Sequence, residues 1–246
     1  VLAVLAHESP VDDALAQLGT RRLIEAHPEP DVVADHRFRS LMLRDVVYDG
    51  LLKRDRWGMH LRYAEWLESL PELEGRLVEF EEVLGYHLER SYVFAGEVAS
   101  AGDGAAEIGR RASRYLASAG DRAWARGDMH AAANLLGRAT TTLAPDDVER
   151  PPLALRAGEA RVETGEFKAA LELFAEAEAA GERRGDDALV AAARLARVVL
   201  RYQSGDGVTD AEALAEVGVL TPALRAAGDQ RSLARGHYVE MLVELT

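Results

Sequence analysis

The stretch GDRAWARGDMHAAANLLGRA, residues 120–139, and the stretch GEARVETGEFKAALELFAEA, residues 158–177, share one skeleton. Gly120, Gly127, Ala132, Leu136 and Ala139 in the first align with Gly158, Gly165, Ala170, Phe174 and Ala177 in the second, each pair 38 residues apart. Small residues with one bulky apolar residue at a fixed period of this size are the mark of stacked helical hairpins, each burying its apolar face on its neighbour. Gly120 with Ala132, and Gly158 with Ala170, let two antiparallel helices approach closely, while Leu136 or Phe174 fills the groove beside them. Gly127 and Gly165 fall where the first helix of each hairpin must end, the position that favours glycine. The clearest hairpins are therefore expected at residues 105–144 and 153–180, a weaker one over 187–203 and 210–227, and the start of another from 229 onward.

Composition agrees with an all-α chain. Of 246 residues, 48% are hydrophobic but only 6% aromatic, with alanine and leucine dominating, a balance that favours helices over sheets. The absence of cysteine removes disulfides, thiolate metal sites and cysteine nucleophiles. No run approaches the roughly 18 to 20 apolar residues of a membrane-spanning helix, and the opening Val1–Ala6 run lacks the basic flank of a signal peptide, so a cytoplasmic protein without a membrane partner is expected. The apolar start and the helical pattern still running at Thr246 read as a segment of something longer.

A formal charge of −13 argues against nucleic-acid binding by the chain as a whole. Charge is uneven, however, because Arg37, Arg39, Arg44, Lys53, Arg54, Arg56 and Arg62 face only Asp45, Asp49 and Asp55 within residues 37–62. Around them the pattern predicts a helix over residues 10–26, a β-hairpin contribution from Val33 to Arg39, and a long helical stretch from Leu41 to Leu67 with a break near Gly58. Leu41, Leu43, Val46, Val47, Leu51 and Leu52 supply its apolar face. Helix, ribbon and helix are the ingredients of a small winged-helix-like lobe at residues 1–70, followed by helical repeats over 71–246. Arg37, Arg39, Arg44, Arg54 and Arg56 are then candidates for phosphate contact or, with the interleaved aspartates, for ion pairs within the lobe; the ion-pair reading is preferred.

Ala170-Leu171-Glu172-Leu173-Phe174 and the Gly165-Glu166 turn resemble the tetratricopeptide repeat, although its usual aromatic after the first glycine is Ala123 in one copy and Arg161 in the other. The run from His36 to Leu51, HRFRSLMLRDVVYDGL, followed by Arg54, His60 and Ala64-Glu65-Trp66-Leu67-Glu68, resembles the junction between winged-helix lobe and tetratricopeptide array in bacterial signalling ATPases of the STAND class. Ser40 stands where those proteins usually have a histidine. The resemblance implies a non-catalytic regulatory segment that couples a bound protein, peptide or small effector to an upstream ATPase and a cyclase or transcriptional output. It places ATP and Mg²⁺ in that upstream domain rather than in this chain. The alternatives are a DNA-binding regulator using the basic lobe and an independent repeat adaptor.

No phosphate-loop pattern occurs and no two histidines lie three or four residues apart, so neither a nucleotide site nor a His-Glu-x-x-His zinc site is expected. Catalytic, cofactor and metal residues are accordingly assigned to none. His60 and His87 are expected at helix junctions, and Asp12-Asp13, Asp146-Asp147 and Asp186-Asp187 as helix-capping carboxylates.

Overall fold

The computed structural model describes residues 11–31, 34–97 and 104–245; the opening run Val1–Ala6, Val32, Val33 and Gly102 lie outside the described residues. The described chain is predominantly helical, with eleven α-helices and one two-stranded ribbon. It divides into two compact units, Val1–Tyr115 and Leu116–Thr246.

In the first unit, helix α1 spans Val11–Thr20 and strands β1 and β2 span Ile24–Asp31 and Ala34–Phe38. The helix ends six residues short of the position expected from periodicity. Arg22 takes a left-handed φ of 57°, and Pro28 and Pro30 lie in the segment that follows, where a proline pushes its predecessor into extended backbone. Residues 24–31 thus become the ribbon's first strand, antiparallel to the second with Ile24 opposite Phe38 and Glu25 opposite Arg37. Ser40 then caps helix α2 (Leu41–Asp49), its Oγ accepting from the Leu43 amide at 3.4 Å. This is an ordinary capping role for a serine at that position.

The expected break at Gly58 lies instead at Gly50–Leu52, because Leu52 is extended (ψ 146°) and helix α3 runs unbroken from Lys53 to Glu68. Arg56 explains the shift. Its guanidinium donates to the Leu51 carbonyl at 3.1 Å and the Asp49 carbonyl at 2.6 Å, supplying partners to carbonyls that a helix end leaves open. Helix α4 (Glu81–Glu97) packs on α3. Leu67, Leu73, Leu84 and Leu88 between them are at most 1% exposed, joined by Ile108 and Ala112 from the start of helix α5, Gly104–Ala125. Several apolar residues expected on one buried face do not join this core: Leu41, Val46 and Val47 of α2 are 68%, 65% and 46% exposed, and Leu52, in the break before α3, is 58% exposed.

The second unit begins within α5 and continues with α6 (Met129–Thr141), α7 (Arg150–Glu163), α8 (Phe167–Arg184), α9 (Asp187–Gln203), α10 (Asp210–Ala227) and α11 (Gln230–Glu244). From α6 onward each packs on the next, and α7–α9 and α9–α11 also touch. Positions of the 38-residue skeleton lie at close contacts between side chains and backbone. A Cβ on Gly120 would lie 2.9 Å from Leu136 Cγ, and one on Gly158 would lie 2.6 Å from Phe174 Cε1. Ala132, Ala139, Ala170 and Ala177 are fully buried, and Leu136 and Phe174 are 1% exposed.

One turn recurs five times: a glycine with φ between 68° and 79° at 127, 165, 185, 205 and 228, followed by Asp or Glu. In each the acidic residue's amide bonds back to a carbonyl of the helix just ended, as Asp128 does to Ala123 at 2.9 Å and Asp229 to Leu224 at 3.0 Å. Asp128, Asp186 and Asp229 also accept from an amide in the first turn of the next helix, each at 3.0 Å. Two residues thereby close one helix and open another. Sequence periodicity alone located the turns at 127, 165 and 205; those at 185 and 228 carry the same Gly-Asp signal.

Candidate functional site

The basic residues of the lobe are largely engaged with neighbouring carboxylates. Arg37 and Arg39 both approach Glu25, at 2.8 and 3.5 Å. Arg44 pairs with Asp45 at 2.7 Å, and Arg54 lies 3.5 Å from Asp55. Arg56 is only 15% exposed and lies 4.7 Å over the Tyr48 ring, fixed by the two carbonyl bonds described above. Four of the five candidates therefore lie on an exposed, charge-compensated surface, and the fifth is a packing residue.

Between α2, α3 and α4 lies a buried polar contact. His60 and His87 meet Nδ1 to Nδ1 at 2.9 Å, and Tyr48 Oη lies 2.8 Å from His60 Nε2. The Nδ1 contact holds one proton between two neutral rings, so one histidine must donate and the other accept. Tyr63 lies tilted against His87 with centroids 4.2 Å apart, and Tyr86 and Phe94 complete the wall. Burial lowers the His60 pKa to about 3, assisted by the nearby His87 and Arg90 charges, and burial lowers that of His87 to about 4. Both rings are neutral at physiological pH and serve as helix-junction packing groups. Among the described residues no cluster of three or more His, Asp and Glu side chains could hold a metal ion.

The most elaborate polar arrangement lies in the second unit. Here α7 packs on α9 and α9 on α11, and side chains of α5, α7 and α11 pair with one another. Glu159 of α7, its side chain 4% exposed, lies between two arginines of α11, with Arg231 Nη2 2.9 Å from Oε2 and Arg235 ion-paired to Oε1. Arg231 also lies 4.5 Å over the Trp124 ring of α5. Arg156, one turn before Glu159, pairs with Asp121 of α5. Burial, and then the Arg231 charge, lower its pKa below the ordinary arginine value while Glu159 acts in the opposite direction. A buried carboxylate shared by two guanidiniums costs much desolvation, so it specifies one arrangement of helices more than it adds stability.

Beside this cluster is a cavity of about 610 Å³, within the size range of small-ligand pockets. Val162, Phe174, Ala196, Val199 and Leu200 form its apolar walls, and Glu159, Glu163, Gln203, Arg235 and Tyr238 supply polar groups. Phe167 and Tyr238 also line it and remain 45% and 44% exposed. Periodicity had located Phe174 as a packing residue but not Glu159, Arg231 or Arg235. A signal was present: Asp121 and Glu159 each follow the packing glycine and lie 38 residues apart, so both copies place an acid on the same helix face.

Comparison with protein-family models, with curated proteins and with solved structures gave no match. No helix among the described residues is long and apolar enough to cross a membrane.

Proposed function

We propose that this chain is a non-catalytic regulatory segment of a larger bacterial signalling ATPase, in which a winged-helix-like lobe precedes a tetratricopeptide-like array that binds an effector or partner. The observation that carries this reading is the cavity built from α7, α8, α9 and α11 beside the Glu159–Arg231–Arg235 cluster. A site assembled from three hairpins changes shape when hairpins shift on one another, so a ligand that prefers one stacking geometry shifts its population. The ion pairs of Arg37, Arg39 and Arg44 favour this reading over direct DNA contact, since their charge is already compensated.

Two measurements test it. The coding DNA in frame upstream of Val1 is expected to encode a phosphate-loop motif; a stop codon close upstream would overturn the proposal in favour of an independent adaptor. ATP hydrolysis by the longer protein is then expected to change when Tyr238 or Phe167 at the cavity mouth is replaced by alanine. Unchanged turnover with an unchanged melting temperature would remove the array from the regulatory path.

A further inference from the structure

One charged group of the cavity lining, the Glu163 carboxylate, is without a partner among the described residues. Glu159 and Glu163 contribute two carboxylates, and Arg235 contributes one guanidinium that is committed to Glu159. Arg231, which also pairs with Glu159, is held over Trp124. Glu163 has no ion-pair or hydrogen-bond partner among the described residues, whereas Asp121 and Glu159 beside it are both paired. Glu159 Oε2, though 2.9 Å from Arg231 Nη2, accepts no aligned hydrogen bond despite burial. The cavity therefore presents acceptor capacity at its base and an unpaired carboxylate on its wall.

The other lining groups select the shape of what would meet that charge. Val162, Val199 and Leu200 form an apolar surface suited to a methylene chain. Phe167 and Tyr238 leave two aromatic rings partly exposed, and such rings attract a cation placed over their faces. The chain as a whole is strongly acidic at −13, which raises the local concentration of cations further.

On these grounds, and resting on the reading of the array as a ligand-binding segment, we propose that the cavity binds an alkyl cation, an aliphatic stem ending in an ammonium or guanidinium group. The stem lies along Val199 and Leu200, and the head reaches Glu163 between the rings of Phe167 and Tyr238. The same chemistry is offered by the lysine or arginine side chain of a peptide and by a free polyamine.

The test is calorimetric titration of the intact chain with three probes: N-acetyl-lysine methylamide, its uncharged norleucine counterpart, and spermidine. Saturable binding of a cationic probe is expected, with the norleucine compound about fivefold weaker, the loss of one partly exposed ion pair. Glu163→Gln should weaken the cation to a similar degree without moving the melting temperature, because Glu163 is exposed and unpaired; Tyr238→Ala serves as an independent second variant. Binding of the lysine derivative assigns a peptide source, and binding of spermidine alone assigns a free polyamine. Absence of saturable binding by either cation, equal affinity for norleucine, or indifference to both variants overturns the proposal. If the cations fail while ATP hydrolysis by the longer protein still responds to Tyr238→Ala, the ligand chemistry is wrong and the regulatory reading stands.

Discussion

Lowering the pH from about 8 to about 5 should remove stability from the first unit through His60 and His87. In the folded chain their pKa values are lowered from 6.5 to about 3 and about 4, so both rings stay neutral at pH 5. Unfolded histidines protonate near 6.5. Below that value the unfolded state binds more protons, and stability falls as pH drops from 6.5 toward the folded values, where the loss levels off. Each histidine then costs about 2 kcal/mol at pH 5, and the pair about 4 kcal/mol. The geometry opposes escape: two protonated rings would put N–H against N–H across the 2.9 Å contact, and Arg90 adds a nearby positive charge. Urea unfolding of a Trp124→Phe variant, followed by Trp57 and Trp66 fluorescence, isolates the first unit's transition. Its midpoint should fall steeply between pH 7 and pH 5, and the imidazole resonances of His60 and His87 should not titrate in that range. An unchanged midpoint, or either ring titrating near 6.5 in the folded protein, would refute the reasoning.

Other outcomes follow from packing. Gly158→Ala should destabilise the second unit by about 2 kcal/mol, the usual scale of overpacking, because its Cβ would meet Phe174 carbons at 2.6 and 2.8 Å and the Ala170 carbonyl at 3.3 Å. Gly120→Ala, meeting only Leu136 and Leu135 side-chain atoms, should cost less in the same thermal melt. Arg56→Ala should cost about 2 kcal/mol in urea titrations by freeing the Asp49 and Leu51 carbonyls, while Arg54→Ala, whose side chain is 71% exposed, should cost less than about 0.5 kcal/mol; equal effects would contradict the distinction drawn between them.

Much of the array was legible because its determinants are local and repeated. Gly127 and Gly165 mark turns through their own backbone geometry, and Gly158 with Phe174 encodes a close crossing in residue size alone. The ribbon was half legible: Val33–Arg39 reads as extended and His27–Pro30 as a break, but Leu23, Ile24 and Ala26 continue the helical pattern of the preceding residues, which the αL residue at Arg22 interrupts. The break at Gly50 was hidden for a different reason. Its stabilising group is Arg56, a residue on the following helix that sequence reading grouped with surface cations. The partners of Glu159 were invisible to periodicity because Arg231 and Arg235 lie more than 70 residues away in the chain, and pairing at that separation is set by how successive hairpins stack.

The binding claim at the centre of the account is that the cavity lined by α7, α8, α9 and α11 takes an alkyl cation. It is tested most directly by amide and methyl chemical shifts of the intact chain titrated with N-acetyl-lysine methylamide and, separately, with spermidine. Saturating shifts confined to Glu159–Phe167, Phe174, Ala196–Gln203 and Ala234–Tyr238 are predicted for at least one of the two; no saturating shifts with either, or shifts centred on the first unit, would contradict it.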